Sequence, residues 1–484
     1  MKTRIALLCL FALSITSLAQ APQSDRQQFI RVDAPVIALT HVRVIDGTGA
    51  PAMEDQTIVI ADGKIKSIAP SATAQVDPNA KSLDLKGYAV LPGLVGMHDH
   101  MFFPMGGTPP MYSNMGFSFP RLYLALGVTT IRTTGSVQPY LDLEIKKLID
   151  SGRMIGPKMH ITGPYLEGVG SFTPVMHTLT GADDARKMVN FWADQGATSF
   201  KAYMNITRDE LRAAVEEAHK RGLKVTGHLC SIGFREAAEI GIDNLEHGLL
   251  PDSEFVANKQ PDKCPGAAVN ASLRTLDING DAVKETIRTL VAKKVALTST
   301  LPVFEASSPL ASTQAGPTAI GAPSAVLNPR MLSVMNNDAR VRYLTARSRI
   351  AADSSSAILV RKSMDFERAF VAAGGLLIAG LDPTGNGGVV AGFGDLREVE
   401  LLVEAGFTPV EAIKIATLNG AKFLGEDSHI GSIAIGKQAD LMIVKGNPAT
   451  KIGDIENVEI VFKDGVGYDS EKLIQSVQGL VGIR

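Results

Sequence analysis

Eight short apolar strand patterns, several of them separated by amphipathic helical ones, run through residues 91–429, and this alternation limits the fold more than any other feature. The first strand candidate ends at His98 and His100. The others are Val128–Arg132, Lys158–Thr162, Ser199–Tyr203, Lys224–His228, Asn244–His247, Val295–Ser299 and Leu376–Gly380. The clearest helix lies between Thr207 and Arg221: Thr207 caps its start, Glu210 sits three residues on, and Gly222 ends it. Eight β-α units over roughly 330 residues predict a (β/α)8 barrel, whose chemistry sits at the C-terminal ends of the strands.

The two ends of the chain read differently. Short β patterns such as Ile37–Ile45, Gln56–Ile60 and Lys64–Ile68 are broken at Asp46-Gly47 and Asp62-Gly63, and the same texture returns at Ala439–Val444 and Val458–Phe462. Residues 35–90 plus 430–484 are therefore predicted to form one composite β-sandwich domain, with the barrel over 91–429. An insertion at about 302–350 follows the seventh strand, rich in Ala, Ser, Gly, Thr and Pro before it turns helical. It emerges on the face that carries the chemistry, so a substrate lid is the expected reading and an inert surface insertion the alternative.

Met1-Lys-Thr-Arg4 carries positive charge ahead of an apolar run from Ile5 to Leu13, and small residues follow at Ser17–Ala21. This predicts a signal peptide over 1–21 and a periplasmic or secreted protein, without a membrane anchor. Loss of Lys2 and Arg4 leaves 46 basic against 50 acidic side chains, and no Lys/Arg cluster points to nucleic acid as a partner. Beyond Cys9 the chain has only Cys230 and Cys264, which can form one disulfide or remain free thiols.

The candidate chemistry sits where the strands end: His98 and His100 on the first, Lys201 on the fourth, His228 on the fifth, His247 on the sixth and Asp382 on the eighth. Side chains two apart on a strand share a face, so His98 and His100 converge. Four imidazoles and a carboxylate suit Zn²⁺ or a similar divalent ion. An ammonium would repel a cation, so Lys201 makes sense there as its carbamate, an anionic oxygen ligand able to bridge two metals.

On Leu91–His100, Phe200–Tyr203, Gly222–His228, Ile242–Gly248, Ala379–Asp382 and the tail Ile430–Leu441, the chain resembles the amidohydrolase superfamily. The likeness is to the binuclear branch with a carbamylated lysine, imidazolonepropionase-like and prolidase-like. It implies that His98, His100 and Asp382 hold the more buried metal, that His228 and His247 hold the more exposed one, and that the Lys201 carbamate bridges them. It further implies a metal-bridging hydroxide as nucleophile, with Asp382 as the catalytic base and then acid. Prolidase-like relatives place a histidine near the reacting carbonyl, and His177, on the loop after the third strand, is the candidate for that catalytic role. Tyr203 shares a face with Lys201 and is the candidate for substrate binding, a core tyrosine being the alternative. The family's frequent oligomers make a homo-oligomer an expectation.

Two departures stand out. Relatives commonly carry Arg-Asp after the second strand, where this chain has Arg132-Thr133, and only 26 residues separate Lys201 from His228. The predicted function is hydrolysis of an amide or peptide C–N bond in a small-molecule substrate, a dipeptide or N-acyl amino acid, which would make the protein a metallopeptidase. The alternatives are a cyclic-amide, lactone or ester hydrolase, and a metal-free, non-catalytic binding module. No Gly-rich phosphate loop supports a nucleotide enzyme.

Overall fold

The computed structural model describes residues 25–107, 110–312, 319–352 and 355–482. The leader expected over 1–21 lies outside them. Eight parallel strands pair in chain order: β1 (Leu94–Asp99), β2 (Val128–Thr133), β3 (Lys158–Leu166), β4 (Ser199–Ala202), β5 (Lys224–Gly227), β6 (Asn244–Glu246), β7 (Ala296–Ser299) and β8 (Leu377–Ala379). Their residues are buried almost throughout, as expected of parallel strands covered by helices on the outside. The helix Arg208–Lys220 shows how the covering works. Leu211, Ala214, Val215 and Ala218 form its buried stripe, and Thr207 and Glu210 close a reciprocal capping box at its start.

The barrel closes between β8 and β1, where Asp382 N–H donates to His98 O at 2.9 Å. Gly380 makes this approach possible, because a Cβ there would overlap the His98 backbone nitrogen. Gly380→Ala is expected to cost about 1–3 kcal/mol of stability and to displace His98. Chemical denaturation together with titration of metal affinity checks both effects.

A separate nine-stranded sheet is assembled from both ends of the chain. Its central pairing is antiparallel, Tyr88–Pro92 against Leu441–Lys445, with Ala89 opposite Val444. It also takes in Ile30–Val32, paired with Val466–Asp469. Alternating apolar residues give this sheet a core of its own, including Ile37, Ile58, Val90, Ile443 and Phe462.

The segment after β7 contains the helices Leu301–Glu305, Pro323–Val326, Pro329–Val334 and Asn337–Ser348. Buried ion pairing fastens it to the barrel: Arg397 donates to Glu305 through Nε at 2.9 Å and Nη2 at 2.7 Å. The Arg347 guanidinium also donates to the carbonyls of Ala306 and Ser308, at 2.8 and 2.6 Å. Cys230 and Cys264 form a disulfide that ties the loop after β5 to the segment ahead of the helix Ala267–Thr275. Among the described residues, no helix is long and apolar enough to cross a membrane.

Candidate metal centre

Six side chains from five barrel strands meet at the C-terminal mouth. His98, His100, Lys201, His228, His247 and Asp382 all line one cavity of about 70 Å³. Donor atoms of His98, His100 and Asp382 lie within 4.8 Å of one another. Asp382 Oδ1 is 3.6 Å from His100 Nε2, and its Oδ2 is 3.9 Å from His98 Nε2. The His247 ring centroid is 4.5 Å from that of His98 and 4.4 Å from that of His228. Lys201 Nζ is 3.1 Å from His98 Nε2.

The backbone is bent to achieve this. His247, just after β6, and Asp382, three residues beyond β8, adopt φ of 70° and 52°, the left-handed region that residues with a Cβ seldom occupy. Such conformations cost of order 1–3 kcal/mol each and cluster at functional sites.

Hydrogen bonds on the far side of the rings decide which nitrogen faces the cluster. His98 Nδ1 contacts Glu246 Oε2 at 2.7 Å, and His100 Nδ1 contacts Gly135 O at 3.1 Å. Both partners are acceptors, so each Nδ1 carries the proton and each Nε2 presents a lone pair. His247 Nδ1 contacts Thr300 Oγ1 at 2.8 Å, while its buried Nε2 has no hydrogen-bond partner. Burial, reinforced by Lys201, holds the His98 and His100 imidazoles well below the ordinary histidine range. Burial and the neighbouring His228 and His98 do the same for His247. Neutral imidazoles with one nitrogen anchored and the other turned inward are in the state that binds a cation. The donor set thus fits divalent metal, and the unpartnered His247 Nε2 is the plainest sign of it.

Two further groups are tuned by their surroundings. Burial lowers the Lys201 ammonium to about 8, against the opposing pull of Glu246 and Asp382. Burial raises the Asp382 carboxyl to about 6, opposed by Lys201 and by the hydrogen bond from Thr384 Oγ1, 2.8 Å from Oδ1.

The structure does not bring His177 to the cluster, and its expected catalytic role is corrected. Its side chain is 47% exposed, and its Nε2 lies 3.0 Å from Asp184 Oδ2 in the first turn of the helix Ala182–Gln195. The ring anchors a loop to a helix start, and the neighbouring Met176 lines the cavity instead. Tyr203 does line it, its ring centroid 5.0 Å from that of His228. His160, His219 and His41 pair with Glu426, Asp243 and Asp55 away from the site.

A model of the amidohydrolase family matches residues 89–467. The chain belongs to the amidohydrolase family. Two curated relatives align over short stretches. A 5'-deoxyadenosine deaminase of Methanobrevibacter smithii is 41% identical over 59 residues, and an imidazolonepropionase of Parabacteroides distasonis is 42% identical over 66. These stretches are 12% and 13% of this chain and span only 14% and 15% of those relatives' lengths. A crystal structure assigned as a prolidase from Bifidobacterium longum superposes with a TM-score of 0.64 at 25% identity, covering 91% of this chain and 98% of its own.

This amidohydrolase also uses residues that sequence reading passed over. Glu246, which bonds His98, is fully buried and accepts from Arg132 Nη2 at 2.8 Å and from Thr226 Oγ1. Although burial works against it, Arg132 and then Lys201 hold the Glu246 carboxylate below its ordinary range. Arg132 in turn donates to Met97 O and Asn244 Oδ1, each at 2.9 Å. Asn244 and Glu246, two apart on β6, put an amide and a carboxylate on one face of a buried strand, and that spacing was the available signal.

Proposed function

We propose that this amidohydrolase cleaves an amide or peptide C–N bond with two divalent cations, most simply Zn²⁺, held by His98, His100, Lys201, His228, His247 and Asp382. The observation that carries the reading is the convergence of neutral, pre-oriented imidazoles with a carboxylate and a lysine at the barrel mouth. When bound, the cations supply Lewis acidity at the scissile carbonyl and lower the pKa of the attacking water.

The chain's own groups do the rest. Glu246 and the Gly135 carbonyl fix the imidazole tautomers. Thr384 fixes the Asp382 rotamer by donating to Oδ1. The Asp382 carboxylate takes the proton released as the C–O bond forms, then delivers it to the nitrogen as the C–N bond breaks. Lys201, whose ammonium loses its proton near pH 8, offers a neutral amine as nucleophile to carbon dioxide. The new N–C bond gives a carbamate, and the released proton goes to water. A carbamate removes the positive charge that would repel the cations.

The substrate class is a peptide-like amide, a dipeptide or N-acyl amino acid or a derivative of one. The prolidase assignment of the Bifidobacterium longum structure supports this choice. The Cys230–Cys264 disulfide supports an oxidising setting, periplasmic or secreted.

Elemental analysis of the purified protein is expected to find close to two divalent ions per chain, and a chelator to abolish amide hydrolysis that Zn²⁺ restores. Lys201→Ala is expected to lose both the second metal and activity. Undiminished turnover in the chelated protein or in Lys201→Ala would overturn the reading.

A further inference from the structure

Beside the metal-site cavity lies a second and larger one, about 320 Å³, and the two share His228 and His247 as a common wall. The larger chamber is walled mainly by Leu250, Val303, Phe304, Leu359 and Val360. Its volume is at the lower end of small-molecule sites, enough for a bulky side chain or an aromatic ring system. Its shape is set in advance, because the segment carrying Val303 and Phe304 is pinned by the Glu305–Arg397 pair and by Arg347. The smaller cavity turns Tyr112, Tyr165 and Tyr203 toward the metal ligands.

The charge inventory is one-sided. Among the described residues, no arginine lines either cavity, and the only lysine is Lys201. A carboxylate removed from water without a cation or several donors around it is costly. Among the described residues the larger chamber offers a carboxylate no cationic side chain, whereas the smaller one is where the two cations are proposed to sit. An uncharged apolar group needs none, and the apolar walls of the larger chamber favour it in proportion to the area they cover.

We propose that the substrate is an amide with one bulky, uncharged apolar half, which fills the chamber between Leu250, Val303, Phe304 and Leu359. This rests on the amide-hydrolase reading above and narrows it to amides whose one half is a large apolar group free of charge. A single group of poor fit in such a pocket changes selectivity by roughly 10–200-fold.

The test compares 2-naphthoyl anilide with its counterpart carboxylated on the naphthalene ring, and acetyl with 2-naphthoyl acyl groups, on the Zn²⁺-loaded protein. Wild type is expected to prefer the neutral anilide by at least about tenfold in kcat/KM. Ser307→Arg, which places a guanidinium on the exposed rim of the chamber, is expected to narrow that preference severalfold. Leu359→Trp, which fills the chamber, is expected to lower the naphthoyl-to-acetyl ratio. Equal or better cleavage of the carboxylated anilide by wild type would overturn the proposal, as would unchanged ratios in both variants. If wild type hydrolyses no amide at all, the hydrolase reading fails separately. Calorimetric binding of 2-naphthamide then decides the chamber: saturable binding that Leu359→Trp removes upholds it, and no binding overturns it.

Discussion

Asp382→Asn is expected to lower kcat by roughly a thousandfold or more while leaving the barrel folded. The carboxamide keeps the shape of the side chain, and its Oδ1 still accepts from Thr384 Oγ1. What it loses is the ability to take up a proton and return it to the departing nitrogen. The same change has the opposite sign for stability when metal is removed. Burial raises the Asp382 carboxyl to about 6, so between the unfolded value of 3.8 and that pH the unfolded chain gives up a proton the folded one retains. Folding stability from this group falls as pH rises through that window, and the lost share stays lost above it. In chelator at pH 7, Asp382→Asn should therefore melt at or above wild type. With Zn²⁺ the wild type should gain more than the variant. Melting curves with and without metal, alongside kcat, give the check, and wild-type turnover in the variant would remove Asp382 from its assigned role.

The second large effect belongs to Arg132. Arg132→Met strips the Glu246 carboxylate of its cation at the centre of the barrel, where neither residue is more than 1% exposed. Breaking a buried pair from one side costs about 3–5 kcal/mol, because the remaining charge is stranded. Adding Glu246→Gln to Arg132→Met should recover part of that loss, since no uncompensated charge remains. Glu246→Gln alone is expected to weaken metal binding about 10–100-fold, because Gln is a poorer acceptor for His98 Nδ1–H than a carboxylate. Denaturant titration of the two single variants and the double variant measures the coupling, and strict additivity would deny that the two groups act as a pair.

The barrel was legible in the sequence because its signal is local. Each strand is a short apolar run, and at five of the eight the run gives way to residues with metal-ligand chemistry. His98 and His100 advertise themselves by their spacing alone. Glu246 did not, although it stands beside His247: its partners Arg132 and His98 are 114 and 148 residues away, and only closure of the barrel brings them together. The departure at Arg132-Thr133 concerned the residue after the arginine, and the arginine itself is the one that Glu246 needs. His177 shows the reverse failure. It sits on the expected loop, but Asp184 seven residues on captures its ring, and loop position says nothing about such short-range competition. The Cys230–Cys264 pairing was left open by the sequence and needed the two loops placed in space.

The pairing of Tyr88–Pro92 with Leu441–Lys445 has a consequence for how the protein is made. Tyr88–Pro92 leads straight into β1, so it leaves the ribosome before any barrel strand, yet its partner emerges only after the last. Throughout synthesis that early segment presents an open β edge with nothing to cover it, and such edges invite pairing with other nascent chains. A chain released before residue 441 would keep the exposed edge permanently, and recovery in the insoluble fraction rather than as a free-standing barrel is its expected fate.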